Sequence, residues 1–578
     1  MILQALTQLY TDLVDRGEIP RQGWGPAKIS YALCLDEAGQ VTQVIPLLVE
    51  TQSGKKTVLR PRMMTLPAAV VRPNTIKPNF LWDNSGYLLG ADGKGNSKRS
   101  QECFLASGAF HHQILDGVDS PAAKAVLAYF DTWQPELAET HPALAGCWAE
   151  LMKGSNLVFR VAGQFVQDDP KIQAAWEAHY HQTEGPVAQC LVTGRQEVTE
   201  AVHPSIKGVR GAQPSGAAIV SFNAPAFCSY RKEKSYNAPV GKSAAFAYTA
   251  ALNHLLADKD NVHQIGDATV VCWAEGADPA YNAFSNVFLF GDKPTGEITD
   301  DELRSTVDRL AKGLPCAEKN LDPKRPFYLL GLSPNAARVS IRFFYRSTFG
   351  EVMRNVNEHH NRMNIVGSQF QFIPLWAMLR ETVNLNAKDK APSPVMAGAV
   401  ARAIFTGTAY PASLLEAAML RIRAERNITP GRAAILKAYY LKNASTQCPE
   451  EVLTVSLNES STNIPYTLGR LFSVYEAVQE SANPGINATI RDKYFNSAAS
   501  TPGMIFPILD NLCKKHLRKL ETGSRIYFEK QIGELKNRLG ESYPTRLTLP
   551  EQGSFDLGYY HQKQSRYTKK EEENNGSN

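Results

Sequence analysis

PFYLLGLSPNAARVSIRFFYRS, residues 326–347, decides the fold class. Two runs rich in β-branched and aromatic residues flank Pro334-Asn335, a pair suited to a tight turn, so the stretch reads as a β-hairpin. Downstream, from about residue 351, nearly all of the chain carries helical periodicity. It is broken by turns such as ITPGR (428–432) and SANPG (481–485). Upstream, AAIVSFN (217–223) and ATVVCWA (268–274) read as strands, with SAAFAYTAALNHLLA (243–257) as a helix between them. The expected fold is therefore α+β: a mixed α/β N-terminal body followed by an all-α C-terminal helical bundle.

Nearer the start, Ile2, Leu3, Leu6, Leu9, Tyr10 and Leu13 recur at helical spacing, and Arg16-Gly17 closes that helix. ISYALCLDEAGQVTQVIPLLV (29–49) reads as a hairpin around Glu37-Ala38-Gly39. Residues 51–101, rich in Pro, Gly and Asn, look loop-dominated; 102–190 return to helical periodicity, with Trp133, Trp148 and Trp176 on packed faces. A chain of 578 residues is too long for one core. The polar, Pro-bearing run NLNAKDKAPSPV (384–395) marks the join, giving an N-terminal domain over 1–390, with a sub-boundary near 191, and a bundle over 391–566. The last residues, YTKKEEENNGSN (567–578), read as a disordered tail.

Hydrophobic residues make up 43% of the chain and charged residues 21%, ordinary values for a soluble globular protein. The net charge is +5, and all of the excess lies late: from Met396 onward there are 23 Lys+Arg against 18 Asp+Glu, leaving 39 of each before it. Nine cysteines are scattered with no C-x-x-C, which supports neither a disulfide framework nor a zinc ribbon and fits reduced thiols. The start has no signal-peptide pattern, and no apolar run approaches the ~20 residues that span a bilayer. A cytoplasmic location is expected.

Catalytic patterns fail one by one. Gly241-Lys242-Ser243 ends a phosphate-loop pattern, but Tyr236 stands where its first glycine belongs. Asp168-Asp169 and Asp300-Asp301-Glu302 are the carboxylate groups that could hold Mg²⁺; both also suit helix N-termini, the first with Pro170 following. His111-His112 and His359-His360 are adjacent, and neighbours on a helix point about 100° apart, so surface or satisfied core histidines are expected rather than a shared metal. No G-x-S-x-G elbow is present. No catalytic residue, metal or cofactor is assigned.

Basic segments are more informative. Residues 51–82 hold Lys55, Lys56, Arg60, Arg62, Arg72 and Lys77 without a single acid, together with Asn74, Asn79, Phe80 and Trp82. GADGKGNSKR (90–99) adds Lys94, Lys98 and Arg99 among glycines. Such segments suit DNA: cations neutralise phosphates, glycines allow close approach, and Asn reaches base edges. A solvated basic loop is the plainer alternative. A third stretch, 203–242, carries Lys207, Arg210, Arg231, Lys232 and Lys234 interleaved with Phe222, Phe227, Tyr230 and Tyr236. Aromatics among cations suit base stacking, or the packing of a strand edge on a core. In the helical part, RIRAERNITPGRAAILK (421–437) should bury Leu420, Ile422, Ile435 and Leu436 and point Arg421, Arg423, Arg426 and Arg432 outward. KKHLRK (514–519), with Lys514, Lys515 and Arg518, is a second basic helical segment. A bundle with basic outer faces is either a track for a single strand or merely soluble.

Long motifs then point to a family. MILQALTQLY, PNFLWDNSGYLLG (78–90), GAQPSGAAIVSFNAPAFCSY (211–230), YNAPVG (236–241) and YLLGLSPNAARVSIRFFY (328–345) resemble the large subunit of type I-C CRISPR Cascade. RIRAERNITPGRAAILKAYYLKN (421–443), YTLGRLFSVYEAVQ (466–479), INATIRDKYFNSAASTPGMIFP (486–507) and EQGSFDLGYYHQKQ (551–564) are similar to the same family, so the resemblance covers essentially the whole chain. It implies a subunit of a crRNA-guided complex, beside the crRNA 5′ handle and the Cascade backbone and 5′-handle-binding subunits. That subunit recognises the protospacer-adjacent motif (PAM) in target double-stranded DNA, helps open the duplex, guides the non-target strand and docks a helicase-nuclease. It further implies a bundle like the small subunits of other Cascades, with free small subunits made from the same gene; Met396 and Met419 are candidate internal starts. Guide pairing reads most of the sequence in such systems, so positive loops suffice and no nucleophile is needed. Gln213, in the GAQPSG loop, is the candidate wedge. The competing readings are a cryptic metal-dependent nuclease and a scaffold that binds only protein.

Overall fold

A computed structural model describes residues 1–53, 56–70, 72, 75–93, 97–182, 185–291, 300–388, 390–443 and 447–575. The chain folds into two compact units: Met1–Pro204 with Val220–Leu252, and Ser205–Ile219 with Asn253–Asn578.

The first unit opens with α1 (Ile2–Asp15), which buries Ala5, Leu6, Leu9 and Leu13 and ends before Gly17, at φ +72°. Five strands follow: β1 (Trp24–Ile29), β2 (Tyr31–Leu35), β3 (Val41–Pro46), β4 (Leu48–Ser53) and β5 (Lys56–Pro67). β2 and β3 form the expected hairpin. Its turn is held by the Asp36 carboxylate, which accepts from the amides of Ala38 (3.0 Å) and Gln40 (2.8 Å). A Cβ at Gly39 would meet the Tyr129 amide at 2.5 Å, so that glycine permits a close backbone approach as well as a positive φ.

Then come β6 (Trp82–Asn84), α2 (Ser85–Leu88), α3 (Lys98–Leu115), α4 (Pro121–Thr132), α5 (Trp148–Leu151), β7 (Asn156–Val161), β8 (Gln164–Phe165), α6 (Pro170–His181), β9 (Val187–Gln189), β10 (Gln196–Val198) and α7 (Lys242–Ala257). One sheet runs β3-β2-β7-β6, with β8 on β7; a second runs β1-β5-β4; β9 and β10 pair alone. β2 and β7 are parallel, and the long crossover a parallel pair requires is supplied by the α2–α5 region. The core is aromatic: Phe80 stacks on Trp176 at 5.1 Å, and Tyr129, Phe130 and Phe159 pack edge to face. Trp176 is buried, while Trp133 and Trp148 pack half-buried against the same core.

Two expectations for this unit need correcting. Among the described residues of 51–101, more lie in elements than in loops: the end of β4, all of β5, β6 and α2, and the start of α3. The helical reading of 102–190 missed β7, which is largely buried on both faces and so shows no alternation.

The second unit contains an antiparallel sheet in chain order: β11 (His263–Ile265), β12 (Ala268–Ala274), β13 (Pro326–Asn335) and β14 (Arg338–Thr348). The β13–β14 hairpin is the one read at 326–347; its turn passes through Ala336, at φ +51°. AAIVSFN is not a strand. The run is divided between the two units at Ile219/Val220, and only single bridges form, Ala217 to Ile206 and Ala218 to Arg338.

Helices complete this unit: α8 (Pro279–Phe288), α9 (Asp300–Ala311), α10 (Phe349–Met363), α11 (Leu375–Arg380), α12 (Pro394–Thr406), α13 (Ala412–Glu425), α14 (Pro430–Asn443), α15 (Ile464–Ala482), α16 (Ile490–Ser500), α17 (Pro502–Leu517), α18 (Thr522–Lys536) and α19 (Leu549–Asn575). α15 is buried on all sides from Pro465 to Val478. It lies unusually close to α19: a Cβ at Gly469 would come within 2.0 Å of the Phe555 carbonyl oxygen, and one at Gly558 within 2.1 Å of that of Tyr466. One apolar core runs from Ile265 to Tyr560 without a break at 391; Ala397, Val400 and Ala401 of α12 share it with Val352 and Val356 of α10. Compaction thus divides the chain elsewhere than at the polar run 384–395. The segment expected to be a tail continues in α19 as far as Asn575.

Candidate nucleic-acid interface

β5 pairs with β1 only over Arg62–Pro67; its outer half, Lys56–Pro61, pairs with β4 alone. The acid-free segment thus supplies one full strand of a two-stranded ribbon, whose other strand, β4, carries an exposed Glu50 opposite Leu59. Cross-strand partners share a face, and alternate residues change face. Val49 opposite Arg60 and Thr51 opposite Val58 place Arg60, Arg62, Val58 and Val49 on one side. Leu48, Leu59 and Met63 occupy the other, with Leu59 59% and Met63 56% exposed. Both arginines are exposed.

The rest of the first basic cluster divides. Lys77 is exposed. Arg72 is not a free reader: Nη1 donates to Asp83 Oδ1 at 2.9 Å, Nη2 bonds Oδ2, and the guanidinium lies 4.0 Å from the centre of the Tyr87 ring. Burial raises the Asp83 pKa, and Arg72 with the amides of Asn79 and Asn84 pulls it back. Asn79 is buried, its Oδ1 accepting from the Val70 amide at 2.9 Å. These two assignments to DNA are corrected: Arg72 and Asn79 brace the segment. Lys98 and Arg99 are exposed in the first turn of α3, where Ser97 caps the Ser100 amide. Two cations at the positive end of a helix repel its dipole and favour an anion nearby. Lys55, Asn74 and Lys94 lie outside the described residues, as does the Lys56 side chain.

In the second unit, backbone amides and the buried Ile206, Val209 and Ala217 hold the 205–219 segment while its polar side chains face solvent. The Lys207 amide donates to Asn253 Oδ1 (2.8 Å) and the Arg210 amide to Thr269 Oγ1 (3.1 Å). Lys207, Arg210 and Gln213 are exposed. Gln213 opens a turn closed by the Gly216 amide at 2.9 Å.

In α13, Arg421 pairs with Glu425 (3.7 Å), Arg423 donates to Gln552 Oε1 (2.7 Å), and Arg426 is exposed at the C-cap. Arg432 contradicts expectation. It is 3% exposed, with Glu425 at 2.6 Å, Glu381 at 3.5 Å and the Asn427 carbonyl at 3.0 Å, because the first turn of α14 is buried. Leu420, expected inward, is 58% exposed, whereas Ile422, Ile435 and Leu436 are buried. Lys514, Lys515 and Arg518 are exposed at the C-terminal end of α17, where cations complement the dipole.

The candidate catalytic groups have structural partners. Asp169 caps α6, accepting from the Lys171 amide (2.8 Å) and from Ser120 Oγ (2.5 Å). His111 is fully buried; Nε2 accepts from the Leu81 amide (2.9 Å), Nδ1 donates to the Ser107 carbonyl (2.7 Å), and burial lowers its pKa to about 4. His359 bonds the Tyr410 hydroxyl (2.7 Å), and burial holds it well below its ordinary pKa. At Gly241-Lys242-Ser243 a carboxylate fills the place a phosphate would take: Glu197 accepts from Ser243 Oγ (2.9 Å) and Thr193 Oγ1 (2.6 Å). Among the described residues no three His, Cys, Asp or Glu side chains group to hold a metal.

Sequence reasoning missed a set of titratable groups inside the helical unit. Lys437 is buried with its pKa lowered to about 8, His561 is held at about 4, and Asp556 is raised to about 8, each chiefly by burial. Nothing in the spacing of FDLGYYHQ marks Asp556 as internal.

A chain with exposed cations on a ribbon, an α+β body and a helical bundle belongs here to a CRISPR-associated protein: the family described as CRISPR-associated protein (Cas_Csd1) matches residues 6–567. The chain belongs to this Csd1 family, the large subunit of type I-C CRISPR complexes. No curated protein matches the sequence. Among the described residues no helix is long and apolar enough to cross a membrane.

Proposed function

We propose that the chain is a non-catalytic DNA-handling subunit of the type I-C surveillance complex. It recognises the PAM in double-stranded DNA, promotes duplex opening and R-loop formation, and helps recruit the helicase-nuclease. The first unit grips duplex phosphates through Arg60, Arg62, Lys77, Lys98 and Arg99. Gln213 and its turn probe the base pairs, and Arg426, Lys514, Lys515 and Arg518 of the bundle guide the displaced strand. crRNA, the backbone and 5′-handle subunits, and small subunits from the same gene are its partners in the cytoplasm.

The observation that carries this reading is the ribbon face. Arg60 and Arg62 stand two residues apart on one exposed side of β5, with no ion-pair partner among the described residues. Asp168 lies near enough to Arg62 for their charges to interact, but no ion pair closes on either arginine among the described residues, and cations displayed on one exposed strand face suit a polyanion, whose binding releases counterions. The test is target binding by the assembled complex carrying Arg60→Ala and Arg62→Ala, across a salt series. Each lost phosphate contact should flatten the log–log salt slope by about 0.9. An unchanged slope and affinity would remove the ribbon from the DNA path.

A further inference from the structure

Ser229-Tyr230-Arg231-Lys232 forms a tight turn in the first unit, closed by the Lys232 amide donating to the Ser229 carbonyl at 2.9 Å. Both central residues lie in the left-handed region, Tyr230 at φ +52° and Arg231 at +58°, and Lys234 follows at +50°. Such a turn ordinarily takes Asn or Gly, because a Cβ is strained there. Here three large side chains accept that strain within five residues.

Asn237 enforces it. Its Oδ1 accepts from the Ser229 amide (2.8 Å), and its Nδ2 donates to the carbonyls of Lys232 (2.8 Å) and Lys234 (2.9 Å). The base is anchored in turn: Ser235 is buried with its amide on the Ala201 carbonyl (3.1 Å), and the Glu200 amide donates to the Val240 carbonyl (2.8 Å). What this clamp presents is a Tyr230 ring 96% exposed, with Arg231, Lys232 and Lys234 exposed beside it and Glu233 the one acid among them. A lone exposed aromatic needs no explanation. One displayed by an over-determined, strained backbone does, since strain persists where function uses it.

We infer that the 229–234 turn is a stacking finger: the Tyr230 ring lies on an unpaired nucleobase, while Arg231, Lys232 and Lys234 hold the flanking phosphates. Every base offers a π-face, so the contact tolerates sequence, and a pre-formed turn spends little conformational entropy on binding. The inference rests on the nucleic-acid reading above. The base comes either from the guide RNA or from the opened DNA.

Tyr230→Gly separates stacking from structure, because glycine accepts the left-handed conformation while removing the ring. In the assembled complex this variant should lose about 5- to 100-fold in nucleic-acid affinity. The free chain should meanwhile gain about 1–3 °C in Tm from relieved strain. Tyr230→Phe should keep affinity within about twofold, since it keeps the ring. Placing 2-aminopurine in the guide RNA or in the opened strand of a forked duplex names the source: stacking quenches its fluorescence, and Tyr230→Gly restores it in that arm alone. Wild-type affinity in the glycine variant for both guide and target would overturn the finger. If Arg60→Ala and Arg62→Ala still weakened binding, the function proposed above would stand. A wild-type complex in which the chain touches neither nucleic acid would overturn both.

Discussion

Asp556→Asn should stabilise the protein, and by more as pH rises. Asp556 sits on α19 at 2% exposure, and its Oδ1 has no hydrogen-bond partner among the described residues. Burial pushes its pKa up to about 8 against a partial counter-pull from Arg423. A folded-state pKa above the unfolded value of 3.8 means that the folded chain binds the extra proton. Stability from this group is therefore complete below about pH 4 and is lost as pH climbs towards 8. At 1.36 kcal/mol per pH unit, the loss is about 2 kcal/mol by pH 5 and about 4 kcal/mol by pH 7. Asparagine keeps the shape and cannot ionise. The gain of the variant over its parent in urea unfolding should grow by about 2–3 kcal/mol between pH 5 and pH 7 and level off beyond pH 8. A gain that is flat with pH, or a destabilised variant, would mean that Asp556 is hydrated or paired and that its burial is not costly.

Four further outcomes follow from the packing. Arg432→Met should cost about 1–3 kcal/mol in unfolding free energy, because Glu425, Glu381 and the Asn427 carbonyl lose a hydrogen-bonded partner but keep access to water; Arg426→Met, on the exposed C-cap, should cost little. Gly558→Ala should force α15 and α19 apart, lowering stability by about 1–3 kcal/mol, as thermal melts would register. Arg72→Ala should lower the Tm of the free chain and leave the salt slope of DNA binding unchanged, the reverse of Arg60→Ala. Asp169→Ala should cost about 1 kcal/mol as a lost cap, and a labelled DNA incubated with Mg²⁺ or Mn²⁺ should show no cleavage that this substitution abolishes.

The hairpin at 326–347 was legible because both strands are long and rich in β-formers; its turn was placed two residues early, since Pro334 and Asn335 pair with Val339 and Arg338 and the chain reverses at Ala336-Ala337. β5 was not. From Thr57 to Met63 it is wet on both faces, and it carries Pro61, so neither hydrophobic alternation nor composition marks it as a strand. AAIVSFN misled for the opposite reason: it has strand composition, but its two halves go to different units. At the site, composition found the cations that stay at the surface, such as Arg60, Lys98 and Lys207. It could not tell them from Arg72, Asn79 and Arg432, whose partners Asp83, the Val70 amide and Glu381 are set by tertiary packing. Tyr230 was visible as an aromatic among cations; the strain that singles it out is a backbone property that residue types do not encode.

The Gly469–Gly558 crossing also carries a consequence for synthesis. α15 is buried on every side, yet the helix that covers it arrives about 70 residues later, at Leu549. At 5–20 residues per second, α15 waits roughly 3–14 seconds on the ribosome without its cover. The packing around α15 therefore cannot be completed before α19 is made, and a ribosome stalled between Ala482 and Leu549 would leave this helix for chaperones to shield.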